Sequence, residues 1–445
     1  MKTSNFRYYR LLIVLAALPP LALVLFVAQY GVSVPYGDEW DLIPLLEKSY
    51  TGQLTLRDLW APHNEHRIFF PHLLMLGLAR LTHWNIGYEL ASNLVIAASI
   101  FALLSNQLCI TARETGCSTL RSLLPVVSLA TFSLAQFENW LWGWQVQVFL
   151  GVLASVGCIM LLTNGNLMWR RFLLSGVLGA FASYSFASGL VLWPLGFGLI
   201  SLISVPTIRL RAQLLAAWSL MGCLAVFLYF HHHTSPGPAG APDRILNRIL
   251  DGSSDYVNYV ANYLGGICTQ YDLESAGAVE RNEAFFCGMG LIFGLALTYG
   301  VLVGHRIISN RVLLPYLGLA AYSFAAALVT SMGRIHLGSV QALSSRYTTI
   351  AAPAWIALLV FLVLLGNKSP PWRALSSIAM LAVVSLILVG SVIAVFPAKG
   401  LARRLAQNKA HLLSLDLAGL DETYASREVI AERYQILALR HLALW

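Results

Sequence analysis

Apolar runs of roughly 17 to 25 residues recur along nearly the whole chain, the length a helix needs to cross about 30 Å of hydrocarbon. In lipid every backbone polar group must be satisfied within its own segment or in a closed barrel, so long unbroken apolar runs mean helices. The fold class expected is all-α and polytopic, with about eleven spans. They fall near residues 10–33, 87–112, 121–137, 141–163, 171–187, 188–205, 211–230, 285–304, 312–330, 347–366 and 374–395. With 57% hydrophobic and 11% charged residues, an ordinary soluble domain is excluded.

Two segments need separate treatment. Residues 172–206 are too long for one crossing and are interrupted by Ala182-Ser183-Tyr184-Ser185-Phe186-Ala187-Ser188-Gly189, which predicts a tight hairpin. Its ends carry Arg170-Arg171 and Arg209 with Arg211, as short cytoplasmic loops do. Ile68 to Leu81 is too short to span and holds Pro71 and His72, so it reads as an interfacial or re-entrant helix.

Charge then orients the spans. Lys2, Arg7, Arg10, Arg113, Arg121, Arg170, Arg171, Arg209, Arg211, Arg306, Arg311, Lys368 and Arg373 fall on one side, against the single acid Glu114. The bias of cytoplasmic loops toward Lys and Arg puts this side, and the N-terminus, in the cytoplasm of an inner or plasma membrane. The net charge of +8 follows from that topology and gives no reason to invoke nucleic acid. The first 33 residues are too apolar for too long to be a cleavable signal, so they read as an uncleaved span with Pro19-Pro20 as the place for a kink. An odd span count sends the tail, with Lys399, Arg403, Arg404 and Lys409, outside against the same bias. One miscounted span would return it inside.

The organisation expected is a transmembrane unit over 1–399, with a first external loop at 34–86 and a large external loop at 231–284. Residues 400–445 alternate Leu, Ala and Ile with charge, which predicts amphipathic helices against the membrane or the external loops. Cys109, Cys158 and Cys223 lie in apolar spans and Cys117 in a short loop, where buried or reduced thiols are the plain reading. Cys268 and Cys287 belong to the external segment or its edge, leaving both a disulfide and free thiols open. No CxxC or Cys-His spacing suggests structural zinc.

Polar residues concentrate on the outer face. Tyr36-Gly37-Asp38-Glu39-Trp40-Asp41 sets three carboxylates at a lipid-water boundary, where ionisable groups are costly to keep and mark a functional site. His63-Asn64-Glu65-His66-Arg67 forms a second knot able to fold back over the first. Residues 136–147 read as an outward hairpin tip with Trp140, Trp142 and Trp144, either an interfacial aromatic belt or a sugar platform. Glu138 and Gln145 in that tip call for a partner or a polar cavity. Arg334 and Arg346 are either solvated charges or anion ligands. Three consecutive histidines, His231 to His233, cannot share one helical face and read as a solvated loop.

A carboxylate beside a membrane can act as general base on a hydroxyl, while cations stabilise a departing phosphate. Sugar transfer from a lipid phosphate needs both. Arg67, Arg334 or Arg346 would hold the phosphate by charge-assisted hydrogen bonds, Tyr347 would add a hydroxyl contact, and Glu138 with the tryptophans would shape the sugar pocket.

An acidic pair in the first external loop after the first span, short interfacial helices in that loop and many further spans resemble the GT-C integral-membrane glycosyltransferases. The resemblance covers residues 1 to 395 in architecture, its sharp signal being Asp38-Glu39. Ser185 to Gly189 with Trp193-Pro194, and Ser345-Arg346-Tyr347, resemble features of a bacterial branch. It implies Asp38 as base, with Glu39 the second candidate; the outward polar residues expected to contact substrate are Asp41, His63, Glu65, His66, Arg67, Glu138, Trp142, Gln145, Arg334, Arg346 and Tyr347. It further implies a polyprenyl-phosphate-sugar donor held among membrane lipids, and inversion at the anomeric carbon. Some members use a divalent metal ion, for which Asp38, Glu39, His63 and His66 offer donors. Without a large soluble C-terminal domain, as oligosaccharyltransferases carry, the acceptor expected is an envelope glycan or lipid. The competing readings are a transporter or flippase of lipid-linked saccharides, which calls for paired repeats that are not evident, and an acyltransferase using His63 or His66, for which no nucleophile is recognisable.

Overall fold

The computed structural model describes residues 2–165, 167–232, 253–269, 282–368, 370–416, 420 and 427–443. Among them there is no strand, only an isolated backbone bridge between His63 and His66. The chain runs through α1 (Lys2–Tyr30), α2 (Leu42–Thr51), α3 (Leu56–Trp60), α4 (Phe69–Thr82), α5 (Gly87–Thr115), α6 (Leu124–Thr131), α7 (Phe137–Leu141), α8 (Val146–Thr163) and α9 (Trp169–Ser183). It continues through α10 (Leu192–Leu202), α11 (Ile208–Phe230), α12 (Ser253–Gly265), α13 (Glu283–Gly304), α14 (Asn310–Arg334), α15 (Thr348–Lys368), α16 (Arg373–Ile393), α17 (Val395–Leu413) and α18 (Arg427–Arg440).

Nine helical segments among the described residues are long and apolar enough to cross a membrane. This is a multi-pass helical membrane protein. The expected spans at 171–187 and 188–205 form the predicted hairpin, its two pieces shorter than the nine: α9 of 15 residues and the Ala187–Leu202 segment. At 1.5 Å per residue, α9 reaches only about 22 Å. The hairpin turns because the Ser185 and Phe186 amides fold back onto the Ala182 carbonyl and a Cβ at Gly189 would collide with that same backbone.

The expected span at 121–137 is not one helix either. It breaks after α6 at Phe132 and resumes through a 3-10 turn into α7. Side chains satisfy the backbone freed by the break: Gln136 Nε2 donates to the Thr131 carbonyl at 2.7 Å and Trp140 Nε1 to the Ser133 carbonyl at 2.9 Å. Irregular backbone at this depth is tolerated because it is enclosed in protein.

The core sits along α8 and α15, whose apolar residues leave no polar face, so they bury all round. Residues 347–365 are buried throughout, whereas α1, α13 and α16 each bury one stripe and expose the rest, as lipid-facing helices do. Helices α12 and α13 cross closely where glycine permits it: a Cβ at Gly265 or Gly288 would strike the carbonyl of Ala284 or Ala261.

One end of the bundle is roofed by the first loop, whose helices α2, α3 and α4 match the short helices expected there. The C-terminal helix α18 lies on this roof. Ala443 N donates to the His83 carbonyl at 3.1 Å and Ser33 Oγ to the Ala443 carbonyl at 2.9 Å. The tail therefore shares a face with the first loop, the outcome that an odd number of crossings requires.

Candidate active site

Gly37 opens the site. Its φ of +56° is a left-handed turn, and a Cβ there would press on the Trp142 ring at 2.8 Å. The following 3-10 turn, Gly37–Asp41, eclipses residues three apart. Asp38 and Asp41 therefore share a face, and both look at one imidazole: His63 Nε2 lies 3.7 Å from Asp38 Oδ1 and His63 Nδ1 lies 3.7 Å from Asp41 Oδ2. The His63 ring rests against Trp144 with centroids 5.0 Å apart.

Glu39 points the other way. It is 1% exposed, takes hydrogen bonds from the Tyr36 amide at 2.8 Å and the Trp144 amide at 3.1 Å, and lies with Glu89 against Gly143. Burial first, then the Glu89 carboxyl beside it, raises the Glu39 carboxyl well above the usual range. It pins the turn to the bundle and is buried, whereas Asp38 is partly exposed, so of the two candidate bases only Asp38 is accessible to an acceptor.

The His63–His66 segment is a tight turn closed by reciprocal backbone bonds of 2.8 Å, with Asn64 at φ +48°, a conformation Asn adopts at little cost. It projects Glu65 toward Arg334, with which it forms an ion pair, and Arg334 Nη1 donates to Tyr347 Oη at 3.1 Å. Burial would raise Glu65, but His66 and Arg334 outweigh it and hold it down to about 2. His66 stacks on Phe186 at 4.5 Å, and burial lowers its imidazole to about 4. Its charged neighbours include Glu65, Arg334, His63 and Asp38, so it joins the two halves of the cluster.

Glu138 anchors the third part. Its Oε2 accepts from Ser344 Oγ at 2.9 Å, Ser345 Oγ at 2.7 Å and the Arg346 amide at 3.2 Å. This fixes the loop before α15, leaving the Arg346 guanidinium over Trp142 and Tyr347 at 5.9 Å from each ring. No carboxylate pairs with that guanidinium among the described residues.

The structure thus gathers Asp38, Asp41, His63, Glu65, His66, Glu138, Trp142, Arg334, Arg346 and Tyr347 from distant segments into one layer. Arg67 does not belong with them. It is 2% exposed and its guanidinium is taken up by the carbonyls of Trp60, Tyr229 and His231, so it clamps the end of α11 and is not open to a phosphate. Gln145 is also buried. The tryptophans form neither a lipid-facing belt nor an open platform: Trp140 and Trp144 are fully buried, and Trp142, 6% exposed, donates Nε1 to the Tyr36 carbonyl at 2.9 Å. The 136–147 tip is held between the first loop and α15: Trp144 N donates to Glu39 Oε1 at 3.1 Å and Asn139 Nδ2 to Thr349 Oγ1 at 2.6 Å.

Among the described residues no three His, Cys, Asp or Glu groups are disposed to hold a metal ion. Glu39 is turned inward and His63 presents a ring nitrogen to each aspartate, so the four donors named from sequence do not converge. Cys268 and Cys287 are free thiols, the first buried and the second half-buried. His233 and much of the loop at 231–284 lie outside the described residues.

The sequence pattern did not single out Glu89 or Arg433. Glu89 carried a signal, an acid in the first turn of an otherwise apolar helix. No family model, curated protein or solved structure matches this chain.

Proposed function

We propose that this protein is a membrane glycosyltransferase moving a sugar from a polyprenyl-phosphate donor to an envelope glycan or lipid on the first-loop face, taken as external. The observation carrying this reading is the Asp38–His63–Asp41 arrangement in the same layer as Arg346, a guanidinium without a carboxylate partner among the described residues. Asp38 is partly exposed and so open to an acceptor hydroxyl.

In the proposed step Asp38 removes the hydroxyl proton and the oxygen attacks the anomeric carbon. The phosphate departs with the bonding electron pair, and configuration inverts. Arg346 meets the charge that develops on the leaving phosphate, a task for a cation already in place. Arg334 contributes less because Glu65 already neutralises it. Two further parts of the reading are that α9 and α10 both cross, giving eleven spans, and that the N-terminus is cytoplasmic. The positive bias of the loops opposite the first-loop face supports this orientation.

The test compares masses of envelope glycans and glycolipids from cells carrying the native protein or Asp38→Asn at equal membrane abundance. A product lighter by one sugar in the variant supports transfer. Unchanged glycans would remove Asp38 as base and bring a lipid-saccharide flippase forward.

A further inference from the structure

A second feature lies at the opposite end of the bundle. A groove of about 620 Å³ runs between α5, α8 and α9, within the size range of small-ligand sites. Leu153, Gly157 and Leu178 line it, and the polar groups gather at one end. Helix α8 starts beside Trp144 under the first loop and ends at Thr163, so Asn164 and Arg171 mark the end away from the candidate active site.

Polar groups on the wall of an apolar groove at membrane depth need an explanation. Asn106 is exposed on α5 and its side chain has no hydrogen-bond partner among the described residues. Arg171 Nη2 donates to the Met160 carbonyl at 3.3 Å, and no carboxylate pairs with Arg171 among the described residues. Asn164 Nδ2 donates to Gln107 Oε1 at 2.6 Å, which leaves its own side-chain oxygen for another donor. Gly157 keeps the floor low: a Cβ there would already sit 3.1 Å from Leu178 Cδ1.

We infer that this groove binds one phospholipid with an anionic phosphate head group, its phosphate on Arg171 and Asn106 and one acyl chain laid along Leu153 and Leu178. The arrangement has the polarity of a lipid in the leaflet opposite the first loop, with the charged head at the bundle end and the apolar wall leading toward mid-bilayer. The complementary charge selects an anionic head over a zwitterionic one. The site stands apart from the proposed transfer chemistry and does not depend on it.

The experiment is native mass spectrometry of the full chain, stripped of lipid in detergent and titrated with phosphatidylglycerol. One bound lipid is expected, with about tenfold weaker retention, near 1.4 kcal/mol, in Arg171→Gln and also for phosphatidylcholine on the native protein. Arg171→Lys should retain binding, and so should Arg170→Gln, whose side chain is exposed outside the groove. Leu153→Trp, which fills the groove, should abolish it. Equal retention by native and Arg171→Gln proteins, an equal loss in Arg170→Gln, or preference for polyprenyl phosphate over phosphatidylglycerol overturns the inference.

Discussion

Arg433 Nη1 lies 2.6 Å from Asp41 Oδ1, joining the C-terminal helix to the first loop at the candidate active site. The other oxygen of Asp41 faces His63 at 3.7 Å, so Arg433 orients a group that in turn orients the imidazole beside Asp38. Arg433→Gln should lower turnover severalfold with unchanged membrane abundance. Arg440→Gln, which cuts the pair with Glu47 but leaves Asp41 alone, should not. Equal effects in a glycan-mass assay would reduce the tail to a clamp.

The same contact makes a prediction that is independent of any activity. Gln53, in the first loop, and Gln435, on α18, are both exposed and must lie on one side of the membrane. Cysteines placed at the two positions should react alike with a membrane-impermeant maleimide in intact cells. Labelling of one and protection of the other would contradict the docking of α18.

Asp38 and Glu39 are neighbours with opposite roles, and stability separates them. Both oxygens of Glu39 accept N–H bonds in a buried site, so Glu39→Gln aims an amide N–H at a backbone N–H and should cost about 1–3 kcal/mol. Asp38 is partly exposed, and Asp38→Asn should stay within about 0.5 kcal/mol of the native protein. Thermal denaturation in detergent reads both. Equal midpoints would mean that Glu39 is not the anchor described.

Arg67 and Arg346 are distinguished in the same way. Removing Arg67 leaves two carbonyls at the end of α11 and one at the end of α3 without their donor, so Arg67→Ala should lower the yield of folded protein. Arg346→Ala cuts only the bond to Ser344 Oγ and the aromatic contacts, and should fold normally while losing donor affinity. The pair of outcomes is read by detergent-stable yield and by binding of a polyprenyl phosphate. A normal Arg67→Ala yield with weakened binding would restore Arg67 to the site.

Hydrophobic run length made the membrane class and most of the span positions legible, because satisfying the backbone in lipid leaves a chain few alternatives. It could not show that α6 ends at Phe132, since run length does not register Gln136 and Trp140 side chains reaching back to the Thr131 and Ser133 carbonyls. The site was legible as a list of polar residues beside span ends. Which of them point inward was not. Adjacent residues in a 3-10 turn diverge, so Asp38 faces His63 while Glu39 meets Glu89 and Trp144. A guanidinium read as a phosphate ligand, Arg67, was claimed by backbone carbonyls more than 160 residues away in the chain.

His66 makes the first-loop layer sensitive to acid. Burial holds its folded-state pKa at about 4, below the ordinary 6.5, so the unfolded chain takes up the proton first as pH falls. Stability is therefore full above about 6.5 and declines as pH drops toward 4, by on the order of 1 to 3 kcal/mol, since one pKa unit is worth about 1.4 kcal/mol. Glu65, held at about 2, keeps its contribution above its ordinary 4.5 and loses it only between there and 2, so the two windows barely overlap. His66→Phe keeps a ring against Phe186 but cannot be protonated. Melting midpoints measured from about pH 7 to about pH 5 should fall for the native protein and stay flat for His66→Phe. A parallel decline in both would assign the acid sensitivity to another group.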